Sequence, residues 1–122
     1  MRANGWADMN QPRLHKIEFY VPQSHLQAVK SAMFAAGADG IGDYDCCAWQ
    51  CLGQGQFRPL AGSSAYVGET NKLETVAEYK VEMICTEMAL GAAIAALKHA
   101  HPYEEVAYFV LGIRGSLPTQ AF

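Results

Sequence analysis

No run of apolar residues in this chain approaches the about 20 needed to cross a bilayer. Residues 1–11 contain Arg2 but no apolar segment behind it, so they do not read as a secretory signal. Basic residues are scarce: nine Lys and Arg stand against twelve Asp and Glu, for a net charge of −3 and a pI near 5.7. A surface for nucleic acid or anionic lipid wants a basic excess, so neither is expected as a partner. The phosphate-cradling pattern G-x-x-x-x-G-K-[ST] is missing, which excludes a P-loop. Serines at 24, 31, 63, 64 and 116 fall in a helix start, a helix, a loop and the tail, with no Ser-His-Asp order around them. Only 17% of residues are charged while 51% are hydrophobic, which excludes global disorder and provides for a packed core. The chain reads as cytoplasmic.

Cysteines number four, at 46, 47, 51 and 85. In a reducing compartment thiols stay free. Cys46 and Cys47 are adjacent in an expected strand, where neighbouring side chains point to opposite faces. Cys47 and Cys51 share a face but would stand roughly 13 Å apart along it, too far for one metal ion. Small buried hydrophobes are therefore the expected role of the cysteines. No feature lowers the pKa of Cys85, at a strand end.

At 122 residues the chain is one domain by length. Residues 1–13 read as a flexible arm, 14–113 as the domain and 114–122 as a short tail. Residues 14–21 alternate, with Ile17, Phe19 and Val21 on one face, which is a half-buried strand. Pro22 ends it. Ser24 with Gln27 three residues on has the form of a capping box, and Leu26, Val29, Met33 and Ala36 follow at helical spacing. Gly37 supplies the stop, giving a helix over 24–36. A second strand is expected over 45–52, then a long irregular segment over 53–75, the kind usually engaged by a ligand or neighbour. Residues 76–85 alternate again: Tyr79, Val81, Met83 and Cys85 against Glu78, Lys80 and Glu82. Thr86 can cap a second helix, with Glu87 in its first turn, a stripe of Leu90, Ala93, Ile94 and Leu97, and Lys98 and His99 at its end. Pro102 stops that helix. Residues 106–113 are apolar on both faces, so this strand is expected to be central or covered by another subunit.

The order β-α-β-β-α-β is the ferredoxin-like arrangement, an α+β fold with a four-stranded antiparallel sheet and both helices on one face. The uncovered face would then carry aromatic and apolar groups, a liability for a monomer that self-association would remove. Trp49, Phe57, Tyr79 and Tyr108 are the candidate interface or core aromatics.

The runs KIEFYVP (16–22), AGA (36–38), IGDYD (41–45), GQGQFRP (53–59), VGE (67–69) and HPYEE (101–105), in that order, resemble the domain inserted in Nif3-like proteins. The resemblance covers about four-fifths of the chain. It implies a fold like the PII signal proteins and the CutA cation-tolerance proteins, both trimers with ligands or partners at subunit clefts. The long segment after the second strand lies where PII-like proteins carry a partner-binding loop. Full-length relatives hold a two-metal centre in outer segments and are often labelled GTP cyclohydrolase-like. This chain is expected to lack those segments, so no residue here inherits that centre. Cys46 stands where related domains often carry His.

Two stretches carry candidate binding groups. At the helix-to-strand corner, His101, Tyr103, Glu104 and Glu105 place an imidazole, a phenol and two carboxylates together. His101 and Glu104 suit zinc or copper, with a neighbour completing the set; alternatively His101 bonds backbone carbonyls while the carboxylates fix the turn. In the glycine-rich segment, Gln56 and Arg58 offer an amide and a guanidinium. Arg58 suits a ligand anion, or pairing with a neighbouring subunit's Asp45, Glu104 or Glu105. The expected function is a non-enzymatic homotrimer binding a small ligand, divalent metal or protein partner at its clefts. The alternatives are an accessory piece of a Nif3-like metal-dependent hydrolase and a purely structural trimerisation module.

Overall fold

The computed structural model of the chain describes residues 14–114. The expected arm, and the tail beyond Arg114, lie outside the described residues. Six elements follow in order: β1 (Leu14–Val21), α1 (Gln23–Ala35), β2 (Trp49–Phe57), β3 (Glu74–Thr86), α2 (Glu87–Ala100) and β4 (Tyr108–Ile113). The strands form one sheet in the order β2-β3-β1-β4, antiparallel at every step. This is the ferredoxin-like α+β fold expected from the element order. Leu14 pairs with Ile113, so β1 begins where β4 ends. Among the described residues no helix is long and apolar enough to cross a membrane.

The alternation of β1 and β3 sends Ile17, Phe19, Val21, Val81, Met83 and Cys85 to one face, all buried. Leu26, Val29 and Met33 of α1 and Ala93 and Leu97 of α2 close over them in one core. Burying a side chain such as Phe19 stabilises by about 1.5–3 kcal/mol. The helix ends show how local chemistry aims these faces. Pro22 is the N-cap of α1, with its φ fixed at −67°. The capping box read at Ser24 does not form: its hydroxyl pairs with the His25 ring 2.8 Å away instead. Gly37, at φ +111°, closes α1 in a Schellman turn. Its N–H donates to Phe34 O, and that of Ala38 to Met33 O, both at 3.1 Å. α2 opens at Thr86, whose side chain makes no cap bond, and ends at His101 just before Pro102.

β3 runs from Glu74 to Thr86, slightly beyond the expected 76–85, and the limits of β2 and β4 differ further from the sequence reading. β2 starts at Trp49 rather than 45, because Cys46 takes a left-handed φ of +54°, incompatible with a ladder. β2 also runs on through Gly53 and Gly55 to Phe57, paired with β3 back to Glu74. The irregular segment therefore shrinks to 58–73. β4 begins two residues later than expected, at Tyr108, and is an edge strand, not a central one. Its apolar groups are exposed, Phe109 at 56% and Leu111 at 42%. The cysteines are not all buried either. Cys85 is; Cys46 and Cys51 are exposed and Cys47 is half-buried.

The uncovered face pairs Phe109 and Leu111 of β4 with Glu18 and Lys16 of β1, and Trp49 of β2 with Glu82 of β3. Its centre is a square of charges. Glu18 and Glu82 stand directly opposite, an arrangement that repels when left alone. Lys16 Nζ lies 3.1 Å from a carboxylate oxygen of each, and Lys80 Nζ 3.7 and 3.6 Å away. The Lys16 ammonium beside Glu18 holds its carboxyl below the usual range, and the two carboxylates, Glu18 foremost, raise Lys16.

Candidate functional site

The described surface contains a cleft of about 800 Å³ beside the edge strand β2. Its floor uses the uncovered face of the sheet: Tyr20, Cys51, Gly53, Gly55, Glu78 and Lys80. Its roof is the 58–73 segment, through Pro59, Leu60, Ser63, Tyr66 and Val67, and its far wall is the corner from Tyr103 to Ala107. The roof is a loop folded by its own turns. Asn71 N–H donates to Pro59 O at 2.6 Å and Lys72 N–H to Glu69 O at 3.1 Å, and Gly62 and Gly68 take positive φ. Two contacts tie roof to corner. Ser64 N–H donates to Glu104 Oε1 at 3.0 Å. The Tyr66 ring lies 6.0 Å from that of Tyr103 and 6.0 Å from that of His25.

The corner is itself locked to the sheet by His101, which is buried at the end of α2. Tyr103 N–H donates to its Nδ1 at 3.1 Å. Nδ1 is therefore an acceptor, and Nε2 carries the proton donated to Tyr20 O at 2.7 Å. The ring is neutral by geometry. Burial pushes its pKa below the ordinary 6.5, against the opposing pull of the Tyr20 carbonyl and Glu78. Tyr103 then reaches into the cleft and donates its hydroxyl to Glu78 Oε2 at 2.8 Å. Burial, and next the bond to Glu78, raise the phenol far above its ordinary range. Gly55 makes room for Glu78, since a side chain at 55 would overlap that carboxylate.

Among the sequence candidates, Gln56, Arg58, Tyr103, Glu104 and Glu105 line the cleft together. Asp45 is exposed and lies outside it. His101 stands behind the wall, with both nitrogens engaged, so as placed it offers a metal no lone pair. Glu104 already accepts from the roof. Among the described residues no three of His, Cys, Asp and Glu are grouped to hold a metal ion. Of the aromatics, Trp49 is 57% exposed on the uncovered face and Phe57 lines the cleft. Tyr79 and Tyr108 pack instead against the core, on the helix side. The sequence reading missed Tyr20, Tyr66, Glu78 and Lys80. Glu78 and Lys80 read as a solvated strand face. Two glycines inside a strand were the available signal, since they mark places where another group approaches closely.

No family model matches the chain. A GTP cyclohydrolase 1 type 2 homolog of Mycobacterium leprae is 44% identical over 100 residues, covering 82% of this chain and 26% of that protein. One from Bacillus subtilis is 41% identical over 95 residues. The chain thus spans about a quarter of the length of the curated relatives it matches. A Bacillus cereus protein related to NIF3 superposes with a TM-score of 0.77 at 32% identity, over 95% of this chain and 30% of that one. CutA from Synechococcus elongatus superposes at 0.62 with 18% identity, over 84% and 78% of the two chains. GlnK of Bacillus subtilis does so at 0.55 with 13% identity, over 83% and 85%; both likenesses concern the fold alone. By sequence and by fold, the chain corresponds to a segment of about a quarter of the Nif3-like GTP cyclohydrolase 1 type 2 homologs, on the fold that CutA and GlnK share.

Proposed function

We propose that the chain is a cytoplasmic, non-enzymatic binding domain that self-associates as a homotrimer and takes a small ligand in the cleft. The observation that carries this reading is the cleft itself, which opens on the uncovered face of the sheet. Self-association would cover Trp49, Phe109 and Leu111, exposed there at 57%, 56% and 42%. The likeness to CutA and GlnK folds supports a trimer as the assembly. Within the cleft, Arg58 is exposed and free of any ion pair among the described residues, so its fork is open to a ligand anion. A divalent metal would require His101 to give up its present bonds, and a neighbouring subunit to supply donors.

A second reading is favoured by the 44% identity to a GTP cyclohydrolase 1 type 2 homolog. The chain would then serve as an accessory part of a metal-dependent hydrolase. The test is native mass spectrometry of the purified protein, alone and with zinc, copper and a panel of nucleotides. A trimer with a stoichiometric adduct that Arg58→Ala loses supports the binding domain. A bare trimer throughout leaves only a structural module, and a monomer overturns the assembly. Nucleotide turnover that stops on chelation would favour the hydrolase reading.

A further inference from the structure

From the cleft floor we infer that the ligand presents a planar nitrogen donor, an amidinium or guanidinium, to the carboxylate of Glu78. The inference rests on the binding-domain reading above and adds the chemical class. An ionised carboxylate has about four acceptor positions. Tyr103 occupies one on Oε2, and no further partner of Glu78 is present among the described residues. The same bond fixes the direction of the carboxylate, which lies over Gly55. Gly53 leaves bare backbone beside it, and the rings of Tyr20, Phe57 and Tyr66 line the same cleft. A flat floor with one oriented acceptor suits a flat donor that can offer two parallel N–H groups.

Charge points the same way. Five charged side chains line the cleft, Arg58 and Lys80 against Glu78, Glu104 and Glu105. Lys80 is already drawn to Glu18 and Glu82, and Glu104 is bound to the roof by Ser64. What remains without an ion pair among the described residues is Arg58 at the exit of β2, with Glu78 on the floor and Glu104 and Glu105 on the wall. The floor is therefore negative where it is flattest.

Benzamidine and benzoate form a near-isosteric pair of opposite charge and make the test. Each is titrated into the full ¹⁵N-labelled protein while the backbone amides are followed by NMR. Benzamidine is expected to shift Gly53, Gly55 and Tyr103 saturably, and to bind at least ten-fold more weakly to Glu78→Gln. That variant keeps an acceptor for the Tyr103 hydroxyl, and an unchanged melting temperature certifies its fold. Binding of benzoate at these amides in preference to benzamidine overturns the assigned class and leaves the cleft as a ligand site. Equal benzamidine affinity in wild type and Glu78→Gln overturns the role of Glu78. Silence from both probes overturns the inference; together with a bare trimer in mass spectrometry it removes the binding-domain reading as well.

Discussion

Replacing His101 with Leu tests how the cleft wall is held. The imidazole makes two bonds, donating to Tyr20 O at 2.7 Å and accepting from Tyr103 N–H at 3.1 Å. Leu fills the space but satisfies neither group. An unsatisfied buried donor or acceptor costs about 1–3 kcal/mol, so the variant should lose about 2–6 kcal/mol, a large part of a typical domain's stability of about 5–15 kcal/mol. Asn and Gln divide the effect. Asn places an acceptor near the position of Nδ1 and Gln a donor near that of Nε2, so each should recover about half. Urea unfolding measures this, with protein concentration held fixed because self-association of the proposed kind would shift the midpoint.

The pH dependence supplies a second readout. The folded pKa of His101 lies below its unfolded value of 6.5. Below that value the unfolded chain binds more protons at this site than the folded one. The stability contributed by the neutral ring is therefore complete above pH 6.5 and is lost as pH falls through 6.5 toward the folded pKa. Protonation would also convert Nδ1 from acceptor to donor, against the Tyr103 N–H. The gap between wild type and His101→Leu should narrow from pH 7.5 to pH 5. A loss under about 0.5 kcal/mol at pH 7.5, or a gap that does not change with pH, would refute the reasoning.

Other outcomes follow from the same geometry. Trp49→Asp places a charge on the uncovered face and should convert the proposed trimer to monomer in analytical ultracentrifugation with little change in circular dichroism; a stable trimer would move the interface elsewhere. Gly55→Ala drives a methyl group into the Glu78 carboxylate; the end of that flexible side chain can swing aside, so stability should change by less than about 1 kcal/mol while the Tyr103–Glu78 bond is displaced, seen as a loss of tyrosine fluorescence change on adding benzamidine. In thiol titration at pH 8, Cys46 and Cys51 should react at once. Cys85, buried with its thiol pushed up to about 11, would be about one part in a thousand thiolate even if reached, so it should react only in urea. A fast-reacting Cys85 would mean the core opens readily.

The fold was legible because its signals are local. Period-two runs gave β1 and β3, period-3.6 stripes gave both helices, and Gly37 and Pro102 marked the helix ends. The limits of β2 were not, because glycine at 53 and 55 reads as loop by propensity. Pairing with β3 overrode that tendency, since a partner strand of 13 residues supplies ladder bonds along its whole length. β4 shows the opposite ambiguity. An apolar run such as YFVLGI fits a central strand or an edge that awaits cover, and periodicity does not separate them. At the site, Gln56 and Arg58 of the QFRP stretch line one cleft with Tyr103, Glu104 and Glu105 of the HPYEE corner. The role of His101 did not follow from its residue type, because imidazole suits a metal and a backbone clamp equally. The choice is made by Tyr20, eighty-one positions away in the chain. Glu78 was hidden for a similar reason: its partner, Tyr103, meets it only across the fold.

The pairing of Leu14 with Ile113 has a consequence beyond the sheet. Opposed residues in adjacent antiparallel strands lie only about 4.5–5.5 Å apart. The unit therefore enters and leaves at nearly one point. A host chain could carry it in a surface loop without stretching, since joining the ends of the folded unit imposes almost no additional span. The relatives in which the matching segment makes up about a quarter of the length have a physical reason to tolerate it. Excising the segment that matches residues 14–113 from such a protein and bridging the gap with two or three glycines should leave the remainder folded. Its melting temperature would report how independent the two parts are.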